Sequence, residues 1–326
     1  MFWSRKAKEG TMSHSERPGP TGQPAGRKPV GLIGLGAMGR PAAAFLAKAG
    51  LDTYCYDEDR EVMDRVAAQG VRPKGSIAEL AAASEVIVLM VPSDQDVIDV
   101  CSPETGVLSA AAPGSVVLIC SSVTPDTCAL VARQAAPAGV EVLDAALTGG
   151  VRAAEAGEIN LLVGGDELIL DSIRPELAPW TKTVHHLGGL GSGQVGKTVN
   201  NLCHWGQLSA IVEALRLGRA LGVSPTKLRA ALLDGPAASR TIAEMELMRL
   251  TWHRKDLANA MLMAASAGQE LPVATTVREA MEHITVADIA ALYAEPEPGP
   301  GHGTDAGPEP GPGQGTDAGP GRQAVR

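Results

Sequence analysis

VGLIGLGAMGRP, residues 30–41, decides the fold. An apolar run from Val30 to Ile33 leads into Gly34, Gly36 and Gly39, spaced G-x-G-x-x-G, and a helical pattern, PAAAFLAKAG, follows at once. Each glycine has a separate job. The first permits a tight turn, the second lets a pyrophosphate approach the backbone, and the third lets the helix pack closely on the strand. The start of the helix offers unpaired N–H groups and a partial positive charge to an anion. The loop Gly34-Leu35-Gly36-Ala37-Met38-Gly39 is therefore the candidate cradle for a dinucleotide. A second strand pattern ends at Asp57, where a carboxylate can accept hydrogen bonds from a free ribose diol and repel a 2′-phosphate. With no arginine between Asp57 and Arg60, NAD is favoured over NADP. Glu58 and Asp59 read as acids at the start of a helix.

Outward from this loop, DTYCYD, EVIVLMVP, SVVLIC and VEVLDAA read as further strands, separated by helical stretches such as DEDREVMDRVAAQG and PDTCALVARQAA. Short continuous apolar runs between helices predict an α/β domain, a doubly wound parallel sheet covered on both faces, over residues 29–192. INLLVGG (159–165) and the apolar residues near Val184 are candidates to extend that sheet. From residue 193 to 294 the pattern is all-helical. QVGKTVNNLCHWGQLSAIVEALRLGRALG is one long helix ended by Gly222, and further helices follow Ser224, lie near Ser239, and follow Lys255 and Pro272. Residues 1–28 and 295–326 read as disordered tails. In the second, EPGPGHGTDAGP is followed by EPGPGQGTDAGP, and a Pro/Gly repeat nearly free of apolar side chains forms no core.

Strand C-termini line the ligand crevice of such a sheet. Val91, Pro92 and Ser93 are thus expected along the nicotinamide side of the cofactor, with Ser121 and Ser122 from the next strand, although either of these two serines also suits a helix cap. DAALTGG ends the sixth strand, and Thr148, Gly149 and Gly150 form a candidate backbone nest for a carboxylate. GSGQVGKTVNN (191–201) begins with three glycines that read as a loop and continues with Lys197 and Asn201, four residues apart on one helix face. Lysine suits proton transfer to an alcohol or carbonyl oxygen, because desolvation lowers its pKa readily. Read alone, Lys255-Asp256 is a polar helix start.

Charge and composition narrow the function. A formal net charge of −9 argues against a nucleic-acid surface. The sequence has no run of 18 apolar residues, which predicts no membrane span, and no apolar N-terminal stretch of signal-peptide length. Five scattered cysteines, three of them in apolar runs, predict buried reduced thiols and a cytoplasmic protein. His185, His186, His204, His253 and His283 show no metal-ligand spacing, so no metal is expected, and His204-Trp205 reads as packing or pocket lining. The long apolar helix calls for cover from a partner chain, as a homodimer or homotetramer.

Four motifs, in order, are similar to those of the β-hydroxyacid dehydrogenase family, whose type member is 3-hydroxyisobutyrate dehydrogenase. They are GLIGLGAMG, DAALTGGVRAAEAGEINLLVGG, GSGQVGKTVNN and WHRKDLANA, and the resemblance runs from about Val30 to Tyr293. It implies transfer of a hydride between NAD(P) and a small hydroxy acid or oxo acid. Lys197 would be the general acid/base and Asn201 would orient substrate and lysine. Thr148, Gly149 and Gly150 would bind the carboxylate, Lys255 would contact the cofactor, and Asp256 would complete the closed site. The sequence departs from the pattern at Thr148 (usually Ser), Ala146-Leu147 (usually Pro-Val) and Met248 (often aromatic); the segment VRAAEAGEI, with Arg152 where a small residue is common, resembles the threonate and related hydroxy-acid branch, and Arg152 reads equally as a surface charge. Those positions bear on the substrate more than on the chemistry. An imine reductase or another carbonyl reductase shares the expected architecture, but imine reductases commonly carry Asp or Tyr at the lysine position. A 6-phosphogluconate dehydrogenase would need a longer helical domain. A non-catalytic dinucleotide-binding protein of this type would be expected to lack Lys197.

Overall fold

The computed structural model describes residues 26–294, so the readings of both tails, except at residues 26–28 of the first, lie outside the described residues. Eight strands form one sheet: β1 (Val30–Ile33), β2 (Thr53–Tyr56), β3 (Arg72–Pro73), β4 (Val86–Leu89), β5 (Val116–Ile119), β6 (Glu141–Thr148), β7 (Ile159–Gly164) and β8 (Thr181–Gly188), in the spatial order 3-2-1-4-5-6-7-8. Helices α1 (Gly39–Lys48), α2 (Arg60–Ala67), α3 (Ile77–Ala82), α4 (Asp94–Val100), α5 (Pro125–Ala135), α6 (Gly150–Ala156) and α7 (Glu167–Leu177) complete the first domain. β1, β4 and β5 are buried at every position, which is why their sequences are continuous apolar runs rather than alternating ones.

The sheet is not parallel throughout. β1 to β6 pair in parallel, but β7 pairs antiparallel with β6 and parallel with β8, so the last two strands run opposite to the rest. Chain length explains the reversal. Only residues 149–158 join β6 to β7, too few for a parallel crossover, whereas residues 165–180 carry α7 and suffice to join β7 to β8. The expected extension near Val184 is β8 itself.

The second region is helical: α8 (Ser192–Ala220), α9 (Pro225–Leu233), α10 (Arg240–Ala243), α11 (His253–Ser266), α12 (Pro272–Met281) and α13 (Val286–Tyr293). Its core gathers Trp205, Leu208, Val212 and Leu215 of α8 against Met245, Leu257, Val277, Met281 and Ile289. Gly222, at φ +83°, follows the end of α8 as a left-handed stop.

The glycines before Lys197 are a correction. Only Gly191 is a turn residue, the N-cap of α8 at φ +91°; Gly193 and Gly196 lie inside the helix. A Cβ at Gly193 would run into the Leu162 carbonyl, and one at Gly196 into the Leu187 side chain. Glycine there lets α8 lie directly on β7 and β8. The first turns of α8 are therefore seated on the sheet domain while its later turns build the helical core.

Candidate active site

The strand order reverses between β1 and β4, and the glycine loop opens at that point. A Cβ on Gly34 (φ +92°) would come within 2.5 Å of the Met90 carbonyl oxygen, and one on Gly39 would strike the Gly34 carbonyl. Gly36 is different, with open space where its Cβ would stand. Two glycines are thus required by the fold and one leaves the approach to the backbone clear. No side chain caps the N-terminus of α1. These features fit a dinucleotide pyrophosphate. Asp57 sits at the edge of the loop, with Oδ2 accepting from the Leu35 N–H at 2.6 Å and Oδ1 from the Asp59 N–H at 2.9 Å. Ionised carboxylate oxygens have about four lone-pair sites between them, so the side chain keeps acceptor capacity. Asp59 caps α2.

Structural work occupies several groups expected at the cofactor. Ser93 is the N-cap of α4, accepting from the Asp96 N–H. Ser121 is buried; its Oγ accepts from the Val91 N–H at 2.9 Å and donates to the Leu89 carbonyl, tying the ends of β4 and β5 together. Neither Ser121 nor Ser122 caps α5, a job that falls to Thr124. Ser122 lines the cleft beside Lys197 instead. Lys255 of α11 crosses to the sheet domain, donating to the carbonyls of Pro92 at 3.0 Å and Ser122 at 3.3 Å.

At the end of β6, Gly149 (φ +109°) and Gly150 (φ +69°) turn the chain into α6 with two successive left-handed residues, a conformation suited to glycine. Lys197 reaches this same strand end, its Nζ donating to the Leu147 carbonyl at 2.8 Å. Burial lowers the Lys197 pKa from the ordinary lysine value, and the Asp256 carboxylate partly offsets the effect. Asn201 is buried on the same face of α8, accepting from the Asn200 amide at 3.0 Å. Asp256 reaches the cleft from α11, held by the Trp205 indole N–H at 3.0 Å. Lys197, Asn201 and Asp256 thus share one cleft with Thr198, Asn259 and the β5–α5 turn. His204 binds Thr241 Oγ1 through Nδ1 at 2.9 Å, and burial, with the Lys197 charge next, lowers its pKa. Among the described residues no cluster of three or more His, Cys, Asp or Glu side chains is placed to hold a metal.

Two residues that hold this geometry were missed in the sequence. Asp144, fully buried in β6, accepts from the Gly191 N–H at 2.6 Å and the Gln194 N–H at 2.8 Å, capping the start of α8 from the sheet. Burial raises its pKa against the pull of those N–H groups. Gln194 is buried as well, donating to the Ser121 carbonyl at 2.9 Å and accepting from the Val123 N–H at 3.2 Å. The signal was present: a carboxylate inside the apolar strand VEVLDAAL is costly to bury unless something pairs with it.

Comparison with known proteins bears on the fold and the family. A family model described as the NAD binding domain of 6-phosphogluconate dehydrogenase matches residues 29–188, and one described as NAD-binding of NADP-dependent 3-hydroxyisobutyrate dehydrogenase matches residues 191–291. The chain is 36% identical to 2-(hydroxymethyl)glutarate dehydrogenase of Eubacterium barkeri, over 66% of this chain and 70% of that one. It is 31% identical to 2-hydroxy-3-oxopropionate reductase of Escherichia coli, over 77% and 89%. The solved structure of Mycobacterium tuberculosis 3-hydroxyisobutyrate dehydrogenase with L-serine superposes with a TM-score of 0.75 at 27% identity, covering 82% of this chain and all of that one. A two-domain match that breaks at the start of α8, where the fold itself passes from sheet to helices, leaves one conclusion: this chain belongs to the β-hydroxyacid dehydrogenase family of NAD(P)-dependent oxidoreductases.

Proposed function

We propose that the chain oxidises a small β-hydroxy acid, or reduces the matching β-oxo acid, with Lys197 as general acid/base. The observation that carries this reading is the position of Lys197. Its desolvated amine lies at the end of β6, directly before Thr148-Gly149-Gly150, in a cleft shared with Asn201 and Asp256. The loop 34–39, Asp57 and the strand ends at Val91 and Pro92 would hold a nicotinamide dinucleotide, which would supply the hydride acceptor in oxidation and the donor in reduction. The backbone of the β6–α6 turn holds the substrate carboxylate. Neutral Lys197 takes the proton from the carbinol oxygen as the carbonyl forms; in reduction, protonated Lys197 returns it. Asn201 donates to that same oxygen and keeps it within reach of Nζ. Lys255 joins α11 to the turns after β4 and β5 and closes the cleft over the reacting groups. Such positioning with a matched acid/base accounts for catalysis without further machinery.

Two relatives are named for acids of this kind, 2-(hydroxymethyl)glutarate and 2-hydroxy-3-oxopropionate, in which the alcohol or aldehyde carbon is β to a carboxylate. Lys197 favours this chemistry over imine reduction. Asp57, with no basic residue between it and Arg60, supports NAD over NADP. Four buried free thiols, Cys55, Cys101, Cys120 and Cys128, support a reducing, cytoplasmic setting, which cell fractionation tests. Exposed Leu217 and Leu221 at the end of α8 support a homodimer or homotetramer, and a light-scattering mass near the 33.5 kDa of one chain would contradict it.

The test is NADH formation at 340 nm with a panel of small β-hydroxy acids, repeated with NADP. Turnover of at least one acid, with higher kcat/KM for NAD, is expected. No turnover with either cofactor contradicts the reading, and a preference for NADP contradicts the role of Asp57.

A further inference from the structure

Lys197 and Asp256 line one cleft with opposite charges, yet among the described residues they form no ion pair. Lys197 Nζ donates to the Leu147 carbonyl, and Asp256 Oδ2 accepts from Trp205. Opposite charges in a partly desolvated cleft attract strongly, so something must hold them apart. Trp205 lies one turn beyond Asn201 on α8, is 4% exposed, and its indole N–H meets Asp256 Oδ2 at 3.0 Å. Among the described residues no other donor reaches this carboxylate. The indole is itself fixed. His204 packs against it with ring centroids 4.5 Å apart, His253 meets it edge-on at 6.0 Å, and Leu208 and Leu257 share its core. His253 is tied in turn to the Leu250 carbonyl through Nδ1 at 2.9 Å.

We propose that Trp205 is a positioning residue: its N–H holds the Asp256 carboxylate within range of Lys197 but off the amine, so that the charge acts through space and no direct ion pair forms. This rests on the reading of Lys197 as general acid/base. A carboxylate closed onto the amine would stabilise the ammonium form and leave little neutral amine to take the carbinol proton. With the carboxylate tethered at a distance, burial pulls the Lys197 pKa down and Asp256 raises it only in part. The neighbouring titratable groups do not supply this control. His204 of α8 is bound to Thr241 Oγ1, Asp144 of β6 accepts from the N–H groups at the start of α8, and Lys255 of α11 is turned to the Pro92 and Ser122 carbonyls.

The experiment removes the donor and keeps an aromatic ring, with Trp205→Phe and, separately, 3-benzothienylalanine at position 205, in which sulfur replaces the N–H. The analogue keeps the bicyclic shape and covers the case in which phenylalanine prevents folding. Each is made with Asp256 intact and with Asp256→Asn, and the pH profile of kcat/KM for oxidation with NAD is measured. Released from Trp205, Asp256 pairs with Lys197, so the acid limb is expected to move up by about one pH unit. Oxidation then falls about tenfold below the limb and recovers above it. With Asp256→Asn the same replacement should leave the limb in place, because the charge it would release is gone. A limb that stays or moves down in a folded variant, or that moves equally in both backgrounds, overturns the assignment. So does a loss of kcat at every pH, which marks a merely structural role. The Lys197 pKa is read in parallel from the pH dependence of its rate of reductive methylation, followed by mass spectrometry. That measurement needs no turnover, so an enzyme that oxidises none of the β-hydroxy acids removes the proposed reaction while the direction of the lysine shift still decides the role of Trp205.

Discussion

Lys197 is driven toward its neutral form by burial and held back by the charge of Asp256. This opposition gives a prediction with a definite sign. In Asp256→Asn the side-chain oxygen can still accept from Trp205, but the negative charge is gone, so the lysine pKa falls further. Oxidation needs the neutral amine, so the acid limb of its kcat/KM profile moves to lower pH. Reduction needs the protonated amine, so its alkaline limb moves to lower pH too. A limb that stays in place or moves upward contradicts the coupling. At this scale the sequence was legible where a residue's chemistry is unusual for its surroundings, as with Lys197 after a glycine-rich stretch. It was less legible where a polar residue serves the fold. The hydroxyl of Ser121 reads the same whether it faces a ligand or ties two strand ends, and only the bond from the Val91 N–H tells which.

Glycines separate function from packing at the scale of elements. Gly36 has room for a Cβ, so Gly36→Ala should fold with an unchanged melting temperature while weakening NAD binding, because the methyl occupies the pyrophosphate's approach. Gly193 has none. A methyl there meets the Leu162 carbonyl and the Asp144 carboxylate, so Gly193→Ala should cost about 1–3 kcal/mol of stability and lift the start of α8 from the sheet. Thermal melts with NAD titrations distinguish the two, and the reverse pattern contradicts this division. Strands and long helices were readable because burial on both faces demands apolar runs and helical cores demand a 3.6-residue period. Less readable were Gly193 and Gly196, since glycine marks a loop in most sequences and a close helix–sheet contact in a few. The antiparallel turn at β7 was likewise hidden, because it follows from the length of a connection rather than from the strand's own residues.

Two domains share one helix in the whole molecule. The first turns of α8 belong to the sheet through Asp144, Gly193 and Gly196, and its later turns belong to the helical core through Trp205 and Leu208. Lys197 lies between these regions, and Lys255 bridges the cleft from the other side. Motif order in the sequence was enough to expect a sheet region and a helical region; the contacts that bring Lys197 to the end of β6 and Asp256 into the same cleft were not, because they depend on how separate elements pack. The central claim is that Lys197 moves the proton and does not hold the cofactor. Its most direct test is Lys197→Ala, with kcat on the best substrate and the NAD dissociation constant measured on the same preparation. The account predicts a kcat loss of about 10²- to 10⁴-fold with NAD affinity nearly unchanged. A variant that keeps more than roughly a few per cent of wild-type kcat at its own optimal pH would contradict it.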